Sequence, residues 1–238
     1  MSLNLEGNNA VLTTDIEIKT QQNKQEKVNN KKITYRFIKR LVDIIGGLVG
    51  TILLIPITIT LYIVNKISKE NRGPLFFDQL RIGKDGKEFK LYKYRSMVMH
   101  ADEKLWEYLN ENEEAKEEYC KYKKLKNDPR ITKLGKFLRK TSLDEFPQFI
   151  NVLKGEMSLV GPRPYLYRER EDMGEKYHEI IKVKPGLTGY WQVNGRSDVD
   201  FNERLEMDTY YIQNRTLWMD LKILVKTVLK VFRKKGAI

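Results

Sequence analysis

The sequence predicts a mainly α-helical chain with one small β-hairpin, an α+β fold held at a membrane surface. Three observations carry this. The stretch LVDIIGGLVGTILLIPITITLYIV (41–64) contains 21 consecutive uncharged residues, Ile44 to Val64. The stretch LWMDLKILVKTVLKVFRKK (217–235) places a lysine at every fourth residue. Between them, GKDGK (83–87) separates two segments of loosely alternating apolar and polar residues, as a turn between strands does.

Taken in order, residues 1–30 are rich in Asn, Gln, Lys and Thr and predict a disordered polar tail. Residues 31–72 form the membrane segment and its flanks. As a straight helix the uncharged run reaches roughly 31 Å, about one hydrocarbon core. Pro56 removes a backbone hydrogen bond inside it, which predicts a kink. The flanks are basic on both sides, with Arg36, Lys39 and Arg40 before and Lys66, Lys69 and Arg72 after. Positive charge marks cytoplasmic ends, and here both ends carry it. The length of the run suits one spanning helix, whereas Pro56 and the two basic flanks argue against it and are both satisfied by a helix that breaks at Pro56 and returns to the same face; the pattern leaves the two open.

Residues 73–238 read as one cytosolic unit. GPLFFDQLRIGKDGKEFKLYKYRSM (73–97) predicts the hairpin, and 101–126 a charge-rich helix. ITKLGKFLRK follows as a short basic helix, then a helix over 171–182 and two terminal helices. The last of these, with Trp218 at its start, has the pattern of an interfacial amphipathic helix.

Composition narrows the function. Lys and Arg outnumber Asp and Glu by 44 to 32, a net charge of +12, which implies an anionic partner. The single cysteine, Cys120, excludes an intramolecular disulfide framework. His100 and His178 stand far apart without a second ligand at metal-binding spacing, and no P-loop or GxGxxG is present. A nucleic-acid binder leaves the apolar run unexplained. A non-enzymatic membrane scaffold leaves TSLDEFPQ (141–148) and GPRP (161–164) unexplained.

TSLDEFPQ supports two readings. Ser142 and Glu145 form a capping box, with Asp144 in the favourable first turn of a helix, and local pattern alone favours this structural role. The same geometry also presents an ionised aspartate and backbone donors to an incoming anion. Such a carboxylate can attack phosphorus, and its neighbour can share Mg²⁺. Arg139 precedes the pair by five residues, and Pro162 and Pro164 stiffen the backbone around Arg163, which suits a phosphate clamp. Lys93 and Arg95 in YKYRSM and Arg196 in NGRS are further candidates for diphosphate contacts.

FKLYKYRSM, NDPRITKLGKFLRKTSLDEFPQFINVLKGEMSLVGPRP, KPGLTGYWQVNGRS and DLKILVKTVLKVFRKKGAI together resemble the bacterial sugar transferases, the monotopic phosphoglycosyl transferases, from about Tyr35 to the C-terminus. The resemblance is to the small single-domain type. It implies a catalytic dyad of Asp144 and Glu145, with Asp144 attacking the β-phosphate of a UDP-sugar, UMP leaving, and polyprenyl (undecaprenyl) phosphate accepting the phosphosugar. It implies Mg²⁺ at Asp144 and Glu145, and a place at the cytoplasmic face of the bacterial cell membrane in surface-glycan synthesis. It also implies a re-entrant helix broken at Pro56, where Ile55 replaces the family's common small residue. Membrane lipids are expected partners, nucleic acid is not, and a homo-oligomer is compatible with the sequence.

Overall fold

The computed structural model describes residues 5–67, 73–195 and 199–233, with side chains described from residue 32 to 231. Backbone contacts divide the chain into two units, residues 1–41 and 42–238. The first is the N-terminal part of helix α1 (Leu5–Ile67). This helix begins inside the segment expected to be a disordered tail. That segment is polar, but its Lys, Gln and Glu residues are good helix formers.

Within the second unit α1 continues through Pro56. The backbone is helical on both sides of the proline. Proline has no N–H to give, so the carbonyl of Ile52 loses its intrahelical partner. One face of α1 is packed and the other bare. On the packed side Asp43, Leu54 and Leu61 are buried. Leu54 and Leu61 join Tyr94 and Leu138 in a cluster, with Leu143, Phe146 and Ile150 packed against it. Gly50 permits this approach, because a Cβ there would lie 2.3 Å from the Phe149 ring. On the other side Ile45, Leu48, Val49, Ile52, Leu53, Ile55, Ile59 and Ile63 are all at least half exposed. No other helix among the described residues is long and apolar enough to cross a membrane.

The hairpin forms as predicted. Strand β1 (Phe76–Ile82) pairs antiparallel with β2 (Glu88–Tyr94), Phe77 opposite Lys93 and Gln79 opposite Leu91. A 3₁₀ turn at Lys84–Gly86 joins them, with Asp85 and Gly86 at positive φ. The charge-rich stretch makes two helices, α2 (Ala101–Glu111) and α3 (Glu113–Tyr122). Asn112 divides them: its backbone is extended, and its side chain accepts the Ala115 N–H at 3.0 Å, capping α3. Helix α4 (Lys133–Lys140) is capped by Thr132, and α5 (Gln148–Lys154) ends at Gly155 with φ 80°.

Strand β3 (Ser158–Val160) leads into the GPRP loop. The helix expected over 171–182 is split into α6 (Arg170–Met173) and α7 (Lys176–Ile180) by Gly174 at φ 52°. Strand β4 (Gly186–Thr188) then pairs parallel with β3, a pairing that strands of three residues do not announce in sequence. The approach is so close that a Cβ on Gly186 would lie 2.1 Å from the Gly161 nitrogen. After α8 (Tyr190–Asn194) come α9 (Phe201–Asn214) and α10 (Leu217–Arg233), the two terminal helices expected. Helix α10 buries Ile223 in the main core with Leu91, Val152, Met157, Leu205 and Tyr211. It leaves Trp218, Leu221, Val225, Val228 and Leu229 exposed beside its lysines, the apolar face expected of an interfacial helix.

Candidate active site

Asp144 and Glu145 lie in a single 3₁₀ turn, Leu143–Glu145, between α4 and α5. The capping box is not formed. Ser142 adopts a left-handed backbone with φ 56°, and its side chain caps nothing. Pro147 gives the reason: proline suits a helix start, so α5 begins only at Gln148. Asp144 therefore gains no help from a helix N-terminus. Its carboxyl is buried, and burial pushes its pKa above the usual aspartate range. The charge of Lys93 opposes that rise, Glu145 adds to it, and Arg139 opposes it more weakly.

Glu145 moves the other way. Burial would raise it too, but Lys93 outweighs burial through charge and a hydrogen bond, and Arg163 and Gln148 assist, so Glu145 sits below its usual range. Lys93 Nζ donates to Glu145 Oε1 at 2.9 Å. The dyad is thus two unlike carboxyls side by side, Glu145 paired and Asp144 burdened by burial. Gln148 is buried next to them. Its amide nitrogen stands near Glu145 without completing a hydrogen bond of ordinary geometry.

The GPRP loop is fixed from three sides. Gly161 N–H donates to Thr188 O at 2.9 Å, and Gly186 N–H donates to Pro162 O at 2.8 Å. Arg163 N–H and Tyr165 Oη both donate to Asp208 Oδ2, at 3.1 and 2.8 Å. Arg81 Nη1 donates to Pro164 O at 2.8 Å, and Ile82 N–H to Tyr165 O at 2.9 Å. Burial, with Arg163 close by, lowers Arg81 to about 10, and its Nε has no partner. Burial also raises Asp208 to about 7, despite its donors and the charges of Arg163 and Arg204. Arg163 of the loop thus stands within charge range of Arg81 and Arg204, with Glu169 and Glu145 acting on Arg81 in the opposite sense, and a concentration of guanidinium groups suits a multivalent anion.

Of the candidates read from sequence, the fold brings together Asp144, Glu145, Lys93 and Arg163, with Arg139 at the edge. Arg139 Nε donates to Ser96 Oγ at 3.0 Å. Arg95 lies apart, its guanidinium against Gly73 and its Nη1 2.7 Å from Met99 Sδ. Arg196 is outside the described residues. Sequence reading missed Gln148, Arg81, Tyr165 and Asp208. Gln148 was within the quoted motif. Asp208 is 45 residues from Arg163, and no local pattern links them.

A Mg²⁺ ion binds through one or two carboxylates and completes its shell with water and phosphate oxygens. Asp144 and Glu145 fit that donor set, and an adjacent cation would offset the cost of ionising Asp144 in its buried position. No cluster of three or more His, Cys, Asp or Glu residues able to hold a metal exists among the described residues.

Comparison with known proteins places the chain in a family. The profile of the bacterial sugar transferase family matches residues 34–234. The undecaprenyl-phosphate galactose phosphotransferase of Salmonella typhimurium is 47% identical over 209 residues, covering 88% of this chain and 43% of that protein. The UDP-glucose:undecaprenyl-phosphate glucose-1-phosphate transferase of Klebsiella pneumoniae is 43% identical over 212 residues, covering 84% of this chain and 41% of that protein. The exopolysaccharide production protein ExoY of Rhizobium meliloti is 41% identical over 199 residues, covering 84% of this chain and 87% of that protein. The chain spans under half the length of the galactose and glucose phosphotransferases and most of the length of ExoY.

Proposed function

This chain belongs to the bacterial sugar transferase family, and from that premise we propose that it transfers a sugar 1-phosphate from a UDP-sugar to polyprenyl phosphate at the cytoplasmic face of the membrane. The observation that carries the proposal is the split dyad: a buried, poorly neutralised Asp144 beside a Lys93-paired Glu145, facing the Arg163 loop.

The chemistry balances without an external reagent. In the first step an Asp144 carboxylate oxygen bonds to the β-phosphorus, and the bond from that phosphorus to the bridging oxygen breaks. UMP departs with that oxygen and its electron pair. In the second step an oxygen of polyprenyl phosphate attacks the same phosphorus, the acyl phosphate bond breaks, and the Asp144 carboxylate is restored. Positioning and charge neutralisation supply most of the catalysis in such transfers. The backbone of Arg163 is fixed by Asp208, which suits a diphosphate clamp, and the buried Gln148 amide stands beside Glu145 as a further donor to the dyad. Mg²⁺ bound at Asp144 and Glu145 would neutralise phosphate charge. Asp144 must lose its proton to attack, so its raised pKa places the acid limit of the reaction above the ordinary aspartate range.

Several features support a helix that enters the membrane and returns. The outer face of α1 is apolar from Ile45 to Ile63, while Asp43, Leu54 and Leu61 are committed to the catalytic unit. The missing bond at Pro56 weakens the helix midway. Thr58 and Thr60 hydroxyls donate to the carbonyls of Leu54 and Pro56, a back-bonding that bends helices. The exposed face of α10 would lie at the same interface, so that polyprenyl phosphate reaches Asp144 with its tail still in lipid.

Incubation of the purified chain with a panel of UDP-sugars, Mg²⁺ and undecaprenyl phosphate tests the proposal. UMP release from at least one sugar nucleotide, lost in Asp144→Ala, is the expected result. No UMP from any of them, or an Asp144→Ala chain as fast as wild type, refutes it.

A further inference from the structure

Asp43 is a buried carboxyl at the start of the apolar run. A buried polar group costs free energy unless it is partnered. Asp43 Oδ1 accepts from Ser158 Oγ at 2.9 Å and from Leu159 N–H at 2.8 Å. Both partners belong to β3, and two residues after Leu159 the chain enters the loop that carries Arg163. Fifteen residues along α1 a second polar contact occurs, between the Thr58 and Tyr94 hydroxyls. Tyr94 is buried at the end of β2, immediately after Lys93, the partner of Glu145. Between these contacts Leu54 packs into the cluster that includes Leu143 and Phe146, which flank the dyad.

We infer that the membrane helix is a working part of the catalytic cleft: Asp43 and Thr58 are positioning residues that tie it to the Arg163 wall and to the Lys93 wall, and so hold the two walls at a fixed separation. Apolar packing alone would keep α1 attached, but it tolerates sliding. Two directional contacts fifteen residues apart, one on each side of Pro56, do not. The spacing of the clamp therefore depends on α1 being seated, and a displacement of about 1 Å at such a clamp costs on the order of 100-fold in rate.

This inference rests on the proposed transfer reaction, so its test includes a readout that does not need turnover. The full chain in lipid nanodiscs is compared with Asp43→Ala, Asp43→Asn and Thr58→Val. Hydrogen exchange is followed in the segment from Leu159 to Tyr165, alongside the kcat and KM of UMP release. Asp43→Ala is expected to speed exchange in that segment and to raise KM for the UDP-sugar about tenfold. Asp43→Asn keeps an acceptor and is expected to restore both to within about twofold. Thr58→Val acts on the other wall and is expected to lower kcat while leaving exchange at 159–165 unchanged. Exchange and kinetics in Asp43→Ala indistinguishable from wild type would overturn the inference. If Asp43→Ala does not fold, Ser158→Ala removes one donor and leaves Asp43 in place. A smaller rise in KM is then expected, and its absence overturns the inference. A wild-type chain that releases no UMP, yet shows the exchange effect, would count against the proposed reaction and not against the positioning role.

Discussion

Replacing Lys93 by methionine keeps the apolar stem and removes the charge. At the observed 2.9 Å separation from Glu145, a full charge pair is worth about 1.4 kcal/mol in water and about 6 kcal/mol at an effective dielectric of 20. The side chains are 25% and 35% exposed, so screening brings the coupling towards the lower figure, about 1–2 kcal/mol. That corresponds to about 5- to 30-fold in an equilibrium or a rate. Lys93 is also the largest favourable charge acting on Asp144. Its loss should therefore slow UMP release by about that factor and move the acid limb of the pH–rate profile upward, because Asp144 becomes harder to ionise. The assay is UMP release against pH for wild type, Lys93→Met, Glu145→Gln and the double variant. A double-mutant cycle isolates the pair. If Lys93→Met leaves both the rate and the acid limb unchanged, the assignment of Lys93 as the cation serving the dyad is wrong.

Other perturbations follow from the same geometry. Asp208 has its pKa raised from 3.8 to about 7, so the folded state holds the proton more tightly. Stability should then fall as pH rises from about 4 to about 7, by at most about 4 kcal/mol at 1.36 kcal/mol per unit. Asp208→Asn should flatten that slope in urea titrations repeated across pH, and an unchanged slope contradicts the assignment. Arg163→Lys keeps the charge and loses the planar fork, and should cut kcat/KM about 100-fold; near-wild-type kinetics would remove Arg163 from the clamp. Gly50→Ala drives a Cβ into the Phe149 ring and should cost about 1–3 kcal/mol in thermal unfolding. Adding Phe149→Leu should recover part of that loss if the clash is its cause.

The parts of the fold legible in sequence were those with a local cause. GKDGK set the hairpin turn, and the lysine spacing after Trp218 set α10. TSLDEFPQ located the dyad, yet the local rule misjudged its backbone, because Pro147 competes with Ser142 for the helix start and wins. The parts that escaped have non-local causes. Strands β3 and β4 have three residues each and exist because they pair across the 25 residues that separate them. Asp208 and Arg81 read as ordinary charges until the fold places them under the GPRP loop. Gly50 sits unremarked within an apolar run, and only the Phe149 ring above it shows why a larger residue would not fit.

The proposed reaction turns on Asp144 carrying the sugar phosphate. The direct measurement is intact and peptide mass spectrometry of the chain mixed with a reactive UDP-sugar and Mg²⁺, without polyprenyl phosphate. One sugar phosphate on the peptide containing Asp144, absent in Asp144→Asn and discharged when polyprenyl phosphate is added, is the predicted result. Product formation with no adduct at any time, or an equal adduct on the Asp144→Asn chain, would contradict it.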